Sequence, residues 1–153
     1  MKLTFENVIE AYLAIGYPPV DTFFVYIQDR EGTPHPRICG LSALAMHHGV
    51  AAERDLRLIC SARPGPLTPN ELFQRLLGSV AAGHAFMDGF DGDDHDDTKK
   101  LYQEHAGDSF TFIRHYEIGA RLGRLFFEKG LSPQEVHDLY CRKEETASVD
   151  CHV

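Results

Sequence analysis

Chemistry in this 153-residue chain concentrates first in the run Asp88-Gly-Phe-Asp-Gly-Asp-Asp-His-Asp-Asp97, which holds six of its 23 acidic side chains. Without those six carboxylates the formal net charge would fall from -8 to -2, so the acidity is local rather than spread. Carboxylates packed this closely repel one another and call for a cation, a helix N-terminus or bulk water. Asp88, Phe90, Asp91, Asp93, Asp94, His95 and Asp97 are therefore the candidate binding residues, facing either a divalent metal ion or a basic protein surface. Counted as a calcium loop from Asp93, the run puts Asp97 in the fifth position and Glu104 in the twelfth. His95 stands third, where a carboxylate or amide is expected, and Thr98 stands where the sharp turn requires glycine. A structural reading competes: Gly89 and Phe90 close one helix, while Asp93, Asp94, Asp96 and Asp97 favour the N-terminus of the next.

Two further constellations involve histidine. His84 and Asp88 are one helical turn apart, and His115 lies on another helix of the same expected bundle. Together the three could hold a transition metal for hydrolysis. The bland reading is that both histidines bond a carbonyl or carboxylate in the core. Cys39 begins the run Cys-Gly-Leu-Ser-Ala-Leu, so its thiol opens a helix whose dipole would lower its pKa, and His84 follows downstream as a possible base. This arrangement resembles papain-like cysteine peptidases, in which a cysteine opens a helix and a histidine follows in the chain. The resemblance implies a hydrolase with Cys39 as nucleophile and His84 as base. The chain departs from that family in placing His84 in a helical segment rather than on a strand. It also has no aromatic residue after Cys39 and no glutamine shortly before it.

The elements that must position these residues are mostly helical. A first helix is predicted from about Phe5 to Ala14, with Thr4 as N-cap and Gly16 and Pro18-Pro19 ending it. Phe23 to Ile27 reads as a strand, Asp29 to Gly32 as a turn, and Pro34 to Cys39 as a returning edge strand at best, with His35 between its two prolines read as an exposed loop residue. Gly40 to His48 reads as a short helix, with the His47-His48 pair at a core boundary, and Glu53 to Cys60 fits helix or strand. Thr68-Pro-Asn-Glu71 opens a helix expected to reach Met87, with Leu72, Leu76, Val80 and Met87 at the centre of its buried face and His84 on the flank. A shorter helix is expected from about Asp96 to His105. Ser132-Pro-Gln-Glu135 opens a last one ending near Lys143.

Ser109 to Lys129 is the longest periodic segment. At 100° per residue Arg114, Glu117, Arg121, Arg124 and Glu128 fall on one side, and Phe112, His115, Gly119, Leu122 and Phe126 fall opposite. Gly119 and Gly123 each cost roughly 1 kcal/mol of helix propensity, a cost that predicts close approach of a neighbouring backbone there. The broad apolar arc of this segment suits either an internal neighbour or a homodimer interface.

The expected architecture is thus a mostly α, single-domain helical bundle of five or six helices over residues 1-143, with a small β-hairpin near the N-terminus and a flexible tail at 144-153. The length suffices to bury roughly two-thirds of the unfolded surface. Four cysteines without a Cys-x-x-Cys pair argue against a zinc site or a disulfide framework. The 15 Lys+Arg form no basic run, which argues against direct nucleic-acid binding. The N-terminus does not read as a signal peptide and no segment reaches the ~18 apolar residues of a membrane span, so cytoplasmic residence is expected. The leading functional expectation is a small binding or regulatory protein, with the two hydrolases as alternatives.

Overall fold

The computed structural model describes residues 1-61, 65, 67-92 and 109-141, and of residues 109-112 only the backbone. Its elements are α1 (Phe5–Ile15), β1 (Phe24–Gln28), β2 (Pro34–Ile38), α2 (Gly40–His47), α3 (Glu53–Ile59), α4 (Pro69–Leu77), α5 (Val80–Phe90), α6 (Ser109–Gly123) and α7 (Pro133–Val136). Turns of π-helix extend α6 over Arg124–Glu128 and α7 over His137–Cys141. The protein is mostly helical with one two-stranded antiparallel hairpin. Among the described residues no helix is long and apolar enough to cross a membrane.

Local sequence explains most boundaries. The Thr4 and Thr68 hydroxyls accept bonds from the Asn7 and Glu71 amides at 3.0 and 3.2 Å. Ser132 and Glu135 cap each other's backbone at 3.1 Å. Each bond satisfies an amide that the first helical turn leaves without a partner. The segment at Glu53–Ile59 is helix, and its Asp55 carboxylate reaches back to the Ala52 amide at 3.0 Å. Asp29 organises the hairpin turn, accepting from the Glu31 and Thr33 amides at 2.9 Å each and pairing with His35 Nε2 at 2.9 Å. His35 is exposed, as expected, but it belongs to β2 rather than to a loop.

These contacts, the His35 bond foremost and the Thr33 amide next, hold the Asp29 carboxyl below its ordinary value. A lowered carboxyl stabilises the turn above the usual carboxylate range and loses that contribution as pH falls through its folded value. The Thr33 amide resonance should therefore titrate with a midpoint below that of an ordinary aspartate. A midpoint at or above that value would mean the turn is not held by Asp29.

Two expectations about the helices need correction. The segment from Pro69 to Met87 is not one helix: Gly78, at φ 72°, ends α4, and the Ser79 hydroxyl caps α5 by accepting from the Ala82 amide at 3.2 Å. This break resets the helical phase, so the buried face of α5 consists of Ala82, Gly83, Ala85, Phe86, Met87, Gly89 and Phe90. The second correction concerns Gly89 and Phe90, which do not terminate a helix by adopting a left-handed turn. Both lie within α5, and the positive φ of 82° falls on Gly92.

The close backbone approach expected at Gly119 and Gly123 is present. A Cβ added at Gly119 would collide with the Phe86 carbonyl oxygen, and one at Gly89 with the Tyr116 carbonyl oxygen. At Gly123 it would lie 2.6 Å from the Phe90 carbonyl oxygen. Helices α5 and α6 thus meet backbone to backbone along three glycines. Phe86 and Phe90 stack 5.4 Å apart, and Phe90 meets the ring edges of Phe126 and Phe127 at 6.2 and 5.2 Å. On the other side of the core, α1 buries Phe5, Val8, Ile9 and Tyr12, and α2 is buried from Gly40 to Ala45.

Candidate functional site

The structure separates the residues of the histidine site. At 100° per residue His84 and Asp88 project from the side of α5 turned away from Phe86, Gly89 and Phe90, the residues that meet α6. His84 is exposed, bonds Asn70 Oδ1 at 3.0 Å, and sits with its ring 5.1 Å from that of Phe73 on α4. His115 belongs to α6, where Tyr116, not His115, occupies the buried centre at 1% exposure. Among the described residues no three His, Cys, Asp or Glu side chains come together to hold a metal ion, so His84, Asp88 and His115 do not form the expected centre.

Cys39 is fully buried, with its sulfur 3.4 Å from Ser42 Oγ. Burial pushes its pKa up to about 11, outweighing the hydrogen bonds from Ser42 and from the amide of Leu41. The dipole of α2 thus loses to desolvation, and the thiol stays protonated at neutral pH. With His84 bonded to Asn70 on an exposed surface, Cys39 and His84 do not make the nucleophile and base of a peptidase. Cys60, by contrast, is exposed. Brief iodoacetamide treatment of the native protein at neutral pH should label Cys60 well before Cys39, read by peptide mass spectrometry; early labelling of Cys39 would contradict this assignment.

Of the acidic run, Asp93, Asp94, His95 and Asp97 lie outside the described residues, as do the calcium-loop reading, the helix expected at 96-105 and the tail. Asp88 is half-buried and Asp91 caps the end of α5. Phe90, expected among the binding residues, is fully buried and cannot present its ring to a partner. Asp91 and Gly92 line a cleft of about 540 Å³ between the end of α5 and the outer side of α6. Its charges are mixed: Asp91, Glu117 and Glu128 face it together with Arg121 and Arg124. Arg121 is also occupied, its guanidinium carbon lying 4.0 Å over the Phe5 ring.

A second cleft of about 560 Å³ was not anticipated. Its walls come from distant parts of the chain: Tyr12, Leu13 and Gly16 of α1, the Tyr17-Pro18-Pro19 segment, Arg37 of β2, and residues 126, 127 and 130-135. Hydrogen bonds fix that assembly. Tyr12 Oη donates to the Ile38 carbonyl at 2.9 Å, and burial raises the Tyr12 pKa well above its ordinary value, so the donor stays protonated. The Ile38 amide donates to the Pro18 carbonyl at 3.1 Å, and Val20 donates to the Ile38 carbonyl at 3.0 Å. The end of α1 and the proline segment are thereby stitched to β2.

The opposite wall depends on the π turn. The Lys129 amide bonds the Arg124 carbonyl at 2.9 Å, Leu131 bonds the Leu125 carbonyl at 3.0 Å, and Gly130 takes φ 66°. This wide turn sends Phe126 into the core, edge-on to Tyr12 at 5.3 Å, and leaves Phe127 43% exposed at the cleft. Leu13, 36% exposed, faces it from α1. Single π turns inside α-helices recur at functional sites.

Arg37 is the unusual member of this cleft. Its Nε is buried and finds no hydrogen-bond partner among the described residues. Leaving such a donor unsatisfied costs about 1–3 kcal/mol, although Arg37 as a whole is only half-buried. The other charged side chain lining the cleft, Glu135, is already engaged with the Ser132 amide. Arg37 stands on β2 opposite Val25, directly after Pro36.

No protein-family model, curated protein or solved structure matches the chain.

Proposed function

We propose that the protein is a small, non-catalytic binding protein whose ligand seat is the cleft between α1, the Pro18-Pro19 segment, β2 and the turn that follows α6. The observation that supports this most directly is the cleft itself. Its volume of about 560 Å³ falls within the usual range for small-molecule sites, roughly 300–1,000 Å³. Its lining joins aromatic and apolar side chains to a polar share from Arg37, Ser132, Gln134 and Glu135, groups able to orient a ligand. Two apolar side chains, Leu13 and Phe127, stand partly exposed at it without an internal neighbour to cover them fully. The inert state of Cys39 favours binding over thiol hydrolysis.

The neutral apolar dye N-phenyl-1-naphthylamine tests this reading. Its fluorescence should rise on addition to the native protein. The increase should be lost in Leu13→Asp, which alters an exposed lining residue, and kept in Ile27→Asp, which alters an equally exposed residue on β1 outside the cleft. Equal losses in both variants, or none in either, would place the apolar site elsewhere.

A further inference from the structure

The geometry points to a ligand class for this cleft: a monoanionic organic acid, whose carboxylate pairs with Arg37 and whose apolar body lies against Phe127, Leu13 and the two prolines. The inference rests on the cleft being the binding seat. Arg37 lines the cleft, has no ion pair or hydrogen bond to any described residue, and keeps Nε out of contact with water. A guanidinium presents a planar fork of donors that matches the two oxygens of a carboxylate. A ligand carboxylate would therefore pair with the part of the guanidinium that lines the cleft.

Charge decides between anions. Arg37 is the only cationic side chain lining the cleft among the described residues, and Glu135 lies in the same wall. One positive charge opposed by one carboxylate suits a monoanion and disfavours a phosphate dianion, whose second charge would meet Glu135 with no cation to offset it. Leu13, Phe127 and the two prolines supply apolar surface for an alkyl or aryl body, while Ser132 and Gln134 add polar groups to the same lining.

Isothermal titration of the native full-length protein with octanoate, octanamide, octylamine and octyl phosphate tests the inference, each repeated with Arg37→Gln and Arg37→Lys. The expected result is octanoate binding about tenfold more tightly than octanamide, the difference of a charge-assisted contact over a neutral one. Octyl phosphate should bind more weakly than octanoate, and octylamine weakest of all. In Arg37→Gln the preference for octanoate over octanamide should vanish while octanamide binding persists, and Arg37→Lys should restore part of it. Because Arg37 Nε has no hydrogen-bond partner among the described residues, the melting temperature of unliganded Arg37→Gln should equal or exceed that of the native protein. Octanamide binding as tightly as octanoate would overturn the anion preference and leave the apolar cleft standing. Tighter binding of octyl phosphate would replace carboxylate by phosphate. Failure of all four compounds to bind would overturn the cleft reading itself.

Discussion

Gly119→Ala and Gly89→Ala should each destabilise the protein by about 3 kcal/mol, toward the upper end of what overpacking costs. The sign is the informative part. By helix propensity alone, replacing a mid-helix glycine with alanine should stabilise by roughly 1 kcal/mol. Here the new methyl group from either side would meet a backbone carbonyl of the opposing helix, and at Gly89 it would also lie 2.8 Å from the Ala120 amide nitrogen. A carbonyl held in a helix cannot rotate aside as a side chain can, so α5 and α6 must separate. Chemical denaturation of the two variants measures the change. A gain in stability at either position would mean that the helices do not approach as closely as described.

Phe90→Ala should cost about 3–5 kcal/mol, the usual range for removing a large aromatic from a core. The ring is fully buried, stacked on Phe86 and edge-on to Phe126 and Phe127. Its loss would open a cavity where α5, α6 and the π turn converge, and would loosen the wall from which Phe127 reaches the cleft. If Phe90 instead served a binding surface, the variant would keep its denaturation midpoint and lose only affinity. Thermal and urea denaturation distinguish the two outcomes.

Much of this architecture could be read in the sequence because its signals are local. Thr4, Thr68 and Ser132 mark helix starts through hydroxyls that reach an amide three residues on, and Gly16 marks a stop through a left-handed conformation. Gly119 and Gly123 signalled close packing because glycine inside a long amphipathic helix needs a reason. The break between α4 and α5 was also written locally, in Gly78-Ser79, a stop residue followed directly by a cap. An apolar period continuing across it concealed the signal. That one continuity error turned His84 toward α6 and produced a metal site that the re-phased helix does not assemble.

The cleft was illegible for a different reason. Its walls come from residues 12-19, 37 and 126-135, which meet only through tertiary contacts such as the Tyr12 to Ile38 hydrogen bond. Neither periodicity nor a motif records those contacts. Nothing in the sequence sets Arg37 apart, since its distinction is a buried Nε without a partner among the described residues. The π turn at Arg124–Glu128 likewise continues the pattern of α6 by composition and differs only in its i to i+5 bonding. Cys39 shows the converse failure. Its position at a helix start promised a reactive thiolate, and complete burial reversed that promise.

Amide chemical-shift mapping during an octanoate titration tests the proposed binding seat most directly. The account predicts that the perturbed amides cluster at Gly16, Tyr17, Arg37, Gly130 and Leu131, with Asp88 to Gly92 unchanged. Perturbations centred on Asp91, Gly92 and Arg124, or scattered over the surface without saturation, would contradict it.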